Sequence, residues 1–200
     1  MLLLAQFNNF KNDDKKDQCL WSALKNGQRN ALSDLFRHHH KHLYNYGIKL
    51  VSDTDIVNEA IQELFLNVWR SRDRLSPAAS VKAYLLSSLG RLILKEVKRK
   101  KNRAERNRRY IAENEEGVTF PVEDLLIRKE IAQKKREQLQ KGLETLTPRQ
   151  KEAVFLKYYH GLTNRELVEV MEINYQVVRN LLYKALERLR SNVESASYQE

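Results

Sequence analysis

A single cysteine, Cys19, stands among 200 residues, which excludes a disulfide framework and a thiolate metal centre. Proline (three) and glycine (six) are equally scarce. Such thin punctuation argues against a strand-and-turn architecture and for long helices. No window approaches the ~20 apolar residues of a membrane-spanning helix, so no membrane insertion is expected. The opening MLLLAQF is too short for a signal-peptide core and no basic segment precedes it. The expected location is therefore cytoplasmic. Phosphate-cradling Gly loops, nucleophile elbows and paired metal-ligand motifs are missing too. Neither enzymatic activity nor a cofactor is expected.

What the chain does have is positive charge, net +10, placed unevenly. The stretch KEVKRKKNRAERNRR, residues 95–109, holds nine lysines and arginines against two glutamates. A patch this dense suits a polyanion, either nucleic acid or an anionic membrane surface. It is also compatible with a solvated helix face or a frayed linker.

Apolar residues recur at helical spacing from Asp17 to about Val51, with Gly27 dividing two helices. The tetrad SDTD, residues 52–55, has the form of a capping box, with Ser52 as the cap and Asp55 reaching back. The next helix pairs a wide apolar stripe (Ile56, Val57, Ala60, Ile61, Leu64, Phe65, Val68, Trp69) with a polar, acidic face. Residues 70–80 form a loop broken by Pro77, and Ser80 caps a helix that runs into the basic stretch. Acidic residues with Gly117 and Pro121 mark a linker around 113–124, followed by a polar helix over roughly 125–141. Thr147 and Pro148 open another helix, Gly161 closes it, and Thr163 caps the next. No strand pattern occurs. The fold class is all-α, with two small helical domains joined by a linker: 1–16 tail, 17–110 first domain, 111–135 linker, 136–195 second domain.

The segment GLTNRELVEVMEINYQVVRNLL, residues 161–182, fits a helix-turn-helix. Leu167, Val168 and Met171 face the second helix, and Ile173 anchors the turn. Val177, Val178 and Leu181 form the buried side of the second helix. Tyr175, Gln176, Arg179, Asn180 and Lys184 then point outward. Arginine reads guanine edges bidentately, and glutamine or asparagine reads adenine. Tyr183 and Lys184 suit phosphates, which position without specifying. Two helices that simply pack into a core would show the same spacing. The separate basic helix favours two grips on a nucleic acid.

Four histidines cluster at His38, His39, His40 and His42. Neighbouring helical residues point about 100° apart, so only His38 and His42 share a face. Two imidazoles with no carboxylate or thiol close by make a thin site, and no metal is assigned. Trp21, Phe36, Phe65 and Trp69 read as core.

NEAIQELFLNVW (58–69), followed by SVKAYLLSSLGRLIL (80–94), resembles the second conserved region of bacterial sigma factors. LETLTPRQKEAVFLKYYHGLTNRELVEVMEINYQVVRNLLYKALERLR (143–190) resembles their fourth region. With only these two regions and a short linker, the chain resembles the extracytoplasmic-function (ECF) class. The resemblance implies a promoter-specificity subunit that binds core RNA polymerase and promoter DNA and is held inactive by an anti-sigma factor. It places Glu59, Gln62, Glu63 and Asn67 on the polymerase, with Phe65 and Trp69 packed beneath. It assigns Lys82, Tyr84, Ser87, Ser88 and Arg91 to the minus-ten element, with Lys95, Lys98 and Arg99 on phosphates. Loop 70–79 would hold a flipped base, whose extrusion costs a few kcal/mol. Tyr175, Gln176, Arg179, Asn180, Tyr183 and Lys184 would read the minus-thirty-five element, and the acidic linker would thread toward the polymerase cleft.

Gly90-Arg91 and Lys95 depart from the family pattern, and Glu172 replaces the usual Gly or Asn of the turn. A glycine inside a helix costs ~1 kcal/mol against alanine. A glutamate tolerates positive φ poorly, so a slightly altered turn is expected. Two rival readings remain: a helix-turn-helix activator that binds duplex DNA without being a polymerase subunit, and a binder of RNA or anionic membrane through residues 95–109. An activator has no need of the NEAIQELFLNVW face. The polyanion binder requires steep salt dependence without sequence preference.

Overall fold

The computed structural model describes residues 2–107 and 140–197, with side chains over 14–101 and 140–191. The expected linker, 111–135, lies outside the described residues. The chain divides into two compact units, Met1–Val118 and Thr119–Glu200. All regular elements among the described residues are helical.

The first unit comprises α1 (Leu2–Lys25), α2 (Arg29–Leu50), α3 (Thr54–Arg70) and α4 (Val81–Asn107). Helix α1 thus begins inside the segment expected to be a tail. Gly27 ends it in the left-handed region at φ +81°, with the Gly27 and Gln28 N–H groups donating to Leu24 and Ala23 carbonyls. That conformation is open to glycine at no steric cost. The cap of α3 is Asp53, one residue later than expected. Its carboxylate accepts from the backbone N–H groups of Asp55 and Ile56, and a carboxylate at a helix N-terminus gains from the helix dipole as well. Ser80 does cap α4, its Oγ accepting from the Ala83 N–H at 3.3 Å.

The core of this unit gathers one stripe from each helix. Trp21 and Leu24 of α1, Leu35, Leu43 and Tyr46 of α2, Ile61 and Leu64 of α3, and Leu85, Leu86, Leu89 and Ile93 of α4 are fully buried. Each such aliphatic side chain contributes about 1.5–3 kcal/mol on leaving water. Gly47 permits the closest approach: a Cβ there would lie 2.6 Å from Val57 Cγ1 and 3.2 Å from Ile93 Cδ1. The α1–α2 contact also brings Asp17 between His38 and His39. The carboxylate missing from the local histidine sequence therefore comes from the preceding helix.

The second unit contains a helical stretch at 140–144, then α5 (Pro148–Val154), a π-helical turn (Phe155–Tyr159), α6 (Asn164–Met171) and α7 (Tyr175–Ser197). Thr147 and Gln150 form a full capping box at α5, and Thr163 and Glu166 form another at α6. Each box satisfies two backbone donors that a helix start otherwise leaves open. Leu143, Leu146, Val154 and Ala185 make one buried cluster, with Leu189 against it. Arg188 of α7 donates to the Gln150 side chain at 3.0 Å and to the Thr145 carbonyl at 3.3 Å. Gln150, the third helical residue of the α5 capping box, is thereby also the side chain that receives α7.

Candidate nucleic-acid and protein interfaces

The periodicity of α3 splits it into two faces. Ile56, Val57, Ala60, Ile61, Leu64, Phe65 and Val68 are buried, while Asn58, Glu59, Gln62, Glu63 and Asn67 are exposed. Phe65 meets Phe36 edge-on at 5.1 Å. Trp69 is half-buried, with the Arg72 guanidinium 4.5 Å from its ring. The polar face thus lies over an aromatic floor, and Leu66 at 53% exposed adds an apolar contact beside it.

The loop after α3 is more ordered than its sequence suggests. A single 3-10 turn, Arg72–Arg74, follows α3, and Leu75 tucks inward. Two side chains of α1 then hold the loop's carbonyls. Gln18 Nε2 donates to Ala78 at 2.6 Å, and Trp21 Nε1 donates to Ser76 at 3.2 Å. Sequence reasoning assigned neither residue to the loop, because the contacts span 55 residues or more of chain.

Along α4 the expected contact residues separate. Arg91, Lys95, Lys98 and Arg99 are exposed, and Lys82 and Ser88 are half-exposed. Arg91 donates to Ser88 Oγ at 3.2 Å. Ser87, by contrast, is 6% exposed: it faces into the bundle, and its hydroxyl is not presented on this surface. Tyr84 is half-buried and packs edge-on against Trp21 at 5.1 Å. Arg99 donates to Glu96 at 2.7 Å. Glu96, with smaller contributions from Glu59 and Glu63 of α3, holds the Arg99 guanidinium in its charged form. The acidic surface of α3 and the basic surface of α4 therefore adjoin.

In the second unit α6 and α7 form the helix-turn-helix. Leu167, Val170 and Met171 are buried on α6. Glu172 adopts the left-handed conformation at φ +53°, ψ +42°, so the tight turn is kept despite the missing glycine. Asn174, given no role from the sequence beyond the turn, caps α7: its Oδ1 accepts from the Val177 N–H at 2.9 Å. Its signal was an asparagine directly before an apolar-periodic run. The buried side of α7 is Val178, Leu182 and Ala185, with Leu181 half-buried. Val177 is 38% exposed and joins the outer face rather than the core, because burial follows the i, i+4, i+7 line through Val178. Tyr175, Gln176, Arg179, Asn180, Tyr183 and Lys184 are all exposed. Gln176 and Asn180 lie one turn apart with 3.4 Å between Nε2 and Oδ1, so the two amides are already paired on the free surface.

A capped helix whose exposed N-terminal half carries arginine and paired amides, set behind a left-handed turn, has the form of the second helix of a DNA-binding helix-turn-helix in an all-helical protein. Residues 35–103 match Sigma-70 region 2, and residues 136–189 match Sigma-70, region 4. The chain belongs to the sigma-70 family, ECF class: it is a sigma factor, the RNA polymerase subunit that directs the core enzyme to promoters and initiates transcription. It is similar to the ECF RNA polymerase sigma factor SigK of Mycobacterium tuberculosis (strain ATCC 25618 / H37Rv), with 28% identity over 162 residues, 80% of this chain and 84% of that one. The SigK of Mycobacterium ulcerans (strain Agy99) is 26% identical over 178 residues, 88% of this chain and 93% of that one. Among solved structures, CnrH in complex with the cytosolic domain of CnrY shares the fold at TM-score 0.57 and 15% identity, covering 90% of this chain and 98% of that one. The sigma factor RpoE, in complex with the anti-sigma factor NepR from Bartonella quintana, gives TM-score 0.55 and 15% identity over 81% and 96% of the two chains. No helix among the described residues is long and apolar enough to cross a membrane.

Proposed function

We propose that this sigma factor divides its work among three surfaces. Glu59, Gln62, Glu63 and Asn67 on α3 dock on core polymerase, over the floor made by Phe65 and Trp69. Lys82, Ser88 and Arg91 of α4 face the minus-ten element, while Lys95, Lys98 and Arg99 neutralise phosphates. Loop 70–79, held from α1 by Gln18 and Trp21, receives the flipped base. Tyr175, Gln176, Arg179 and Asn180 read the minus-thirty-five duplex, with Tyr183 and Lys184 on its backbone. Tyr84 and Ser87 act from beneath as supports of α4, since both pack inward.

The observation that carries this reading is the exposed polar face of α3 over buried Phe65. A free-standing DNA binder has no use for it. The chain is further proposed to act in the cytoplasm, without catalytic activity of its own, under an anti-sigma factor that covers these surfaces. Support for such a regulator is that the similar RpoE was solved bound to one.

Run-off transcription with sigma-free core polymerase on genomic DNA of the source organism tests the assignment. Discrete new start sites are expected with the wild-type chain, and their loss with Glu59→Ala/Glu63→Ala, both exposed substitutions that leave the core intact. Starts that persist undiminished in this variant would remove α3 from the polymerase contact. Undiminished starts with Arg179→Ala on every promoter would remove α7 from promoter choice.

A further inference from the structure

Asp17, His38 and His39 form a three-residue cluster in which one ligand atom from each, a carboxylate oxygen and two ring nitrogens, lies within 4.8 Å of the others. Asp17 is 3% exposed and His39 likewise 3%; His38 is half-exposed. The two rings lie side by side, with centroids 4.8 Å apart. His38 Nδ1 is 3.0 Å from Asp17 Oδ1, and His39 Nε2 is 2.9 Å from Asp17 Oδ2.

The two contacts differ in kind. His38 makes a hydrogen bond to Asp17. His39 Nε2 makes none in spite of its distance, since the oxygen is off the line of the ring N–H. A buried nitrogen left without a hydrogen bond costs about 1–3 kcal/mol, and a buried carboxylate costs more unless a cation or several donors face it. Two donor atoms near 3 Å apart and not aimed at each other have the arrangement of neighbouring ligands on a shared ion. Ligands bound at ~2.0–2.2 Å to one metal stand about 3–3.5 Å from each other.

We propose that Asp17, His38 and His39 bind one divalent first-row transition ion, of the zinc class, with Asp17 bridging α1 to α2 through it. Two imidazoles and one carboxylate are a donor set for zinc, cobalt or nickel rather than for calcium or magnesium. Three protein ligands leave further positions for water, which reaches the site past half-exposed His38. His38 binds through Nδ1 and His39 through Nε2, each as the neutral ring. The consequence is mechanical. Asp17 is followed immediately by Gln18, and Gln18 and Trp21 hold the carbonyls of loop 70–79. An ion that pins α1 to α2 therefore stiffens the support of that loop. The metal site stands on these residues alone and is independent of the roles proposed for the loop or for α3.

The test uses the full chain, free of any histidine tag and stripped with chelator. Zn2+ titration by calorimetry at neutral pH is expected to give one ion per chain, and Co2+ is expected to give a visible absorption band. His38→Gln and Asp17→Asn, each checked for folding by circular dichroism, are expected to weaken binding ~100-fold, whereas His40→Gln leaves it unchanged. Since His38 is partly exposed, its variant keeps the test open should Asp17→Asn fail to fold. Amide exchange over 17–21 and 75–79 is expected to slow on adding Zn2+ to the wild type only. Absence of stoichiometric binding, or binding that His38→Gln and His39→Gln both retain, would overturn the site.

Discussion

Lys100, near the end of the basic helix, donates to Asp53 Oδ2 at 2.9 Å while Asp53 Oδ1 accepts the backbone N–H groups that open α3. One carboxylate therefore caps α3 and fastens α4 to it. It also commits one cation of the basic stretch to the protein itself, leaving Lys95 and Lys98 as the exposed phosphate candidates nearby.

The two halves of this contact differ in worth. Asp53→Ala removes the cap and is expected to cost ~1 kcal/mol of stability. Lys100→Ala, which breaks a pair with both partners well exposed, is expected to cost no more than about 0.5 kcal/mol. Urea denaturation of the two variants measures both. The hydrogen bond from Lys100, reinforced by the backbone donors, holds the Asp53 pKa below its ordinary 3.8. Its contribution is present above 3.8 and is lost as pH falls through the lower folded value. Asp53 in turn raises Lys100 above 10.5, so that contribution is present below 10.5 and is lost as pH climbs through the higher folded value. The stability difference between wild type and Asp53→Asn, which keeps a capping side chain, is expected to be flat across neutral pH and to shrink at both extremes.

Gly47 and Gly90 both sit inside helices, yet alanine should act oppositely at the two. At Gly47 the new Cβ would meet Val57 at 2.6 Å, and overpacking of this kind costs about 1–3 kcal/mol. At Gly90 the nearest atom is Tyr46 Oη at 3.5 Å, an ordinary contact, so Gly90→Ala is expected to gain up to ~1 kcal/mol from helix propensity. Equilibrium denaturation of the pair decides it, and two changes of the same sign would contradict the packing described.

Glu172 carries positive φ in the turn between α6 and α7. Glu172→Gly is expected to stabilise the chain by ~1 kcal/mol while leaving the set of promoters used in run-off transcription unchanged. A shifted promoter set would mean that the glutamate reads DNA rather than merely tolerating the turn.

Arg179 and Lys184 both project from α7 but should fail differently. Arg179→Ala is expected to relax preference at one base position by about 1–3 kcal/mol, and Lys184→Ala to weaken all promoters alike with a shallower salt dependence. Binding of holoenzyme to a promoter library at two salt concentrations separates the two.

The sequence alone determined most of the helices in the described residues, their caps at Ser80, Thr147 and Thr163, and the family, because these depend on local spacing and on which residue types stand next to each other. The outward set on α7 was legible for the same reason, apart from Val177, where one helical position shifts a side chain from core to surface. Ser87, expected on the outer face of α4, is buried, because position within a stripe does not say how many neighbours close over it. The Asp17–His38–His39 cluster, the support of the loop by Gln18 and Trp21, and the Asp53–Lys100 link belong to tertiary structure alone. Each joins residues about 20 to 60 positions apart, and no periodicity reports a distance across helices until the packed core has brought their faces together.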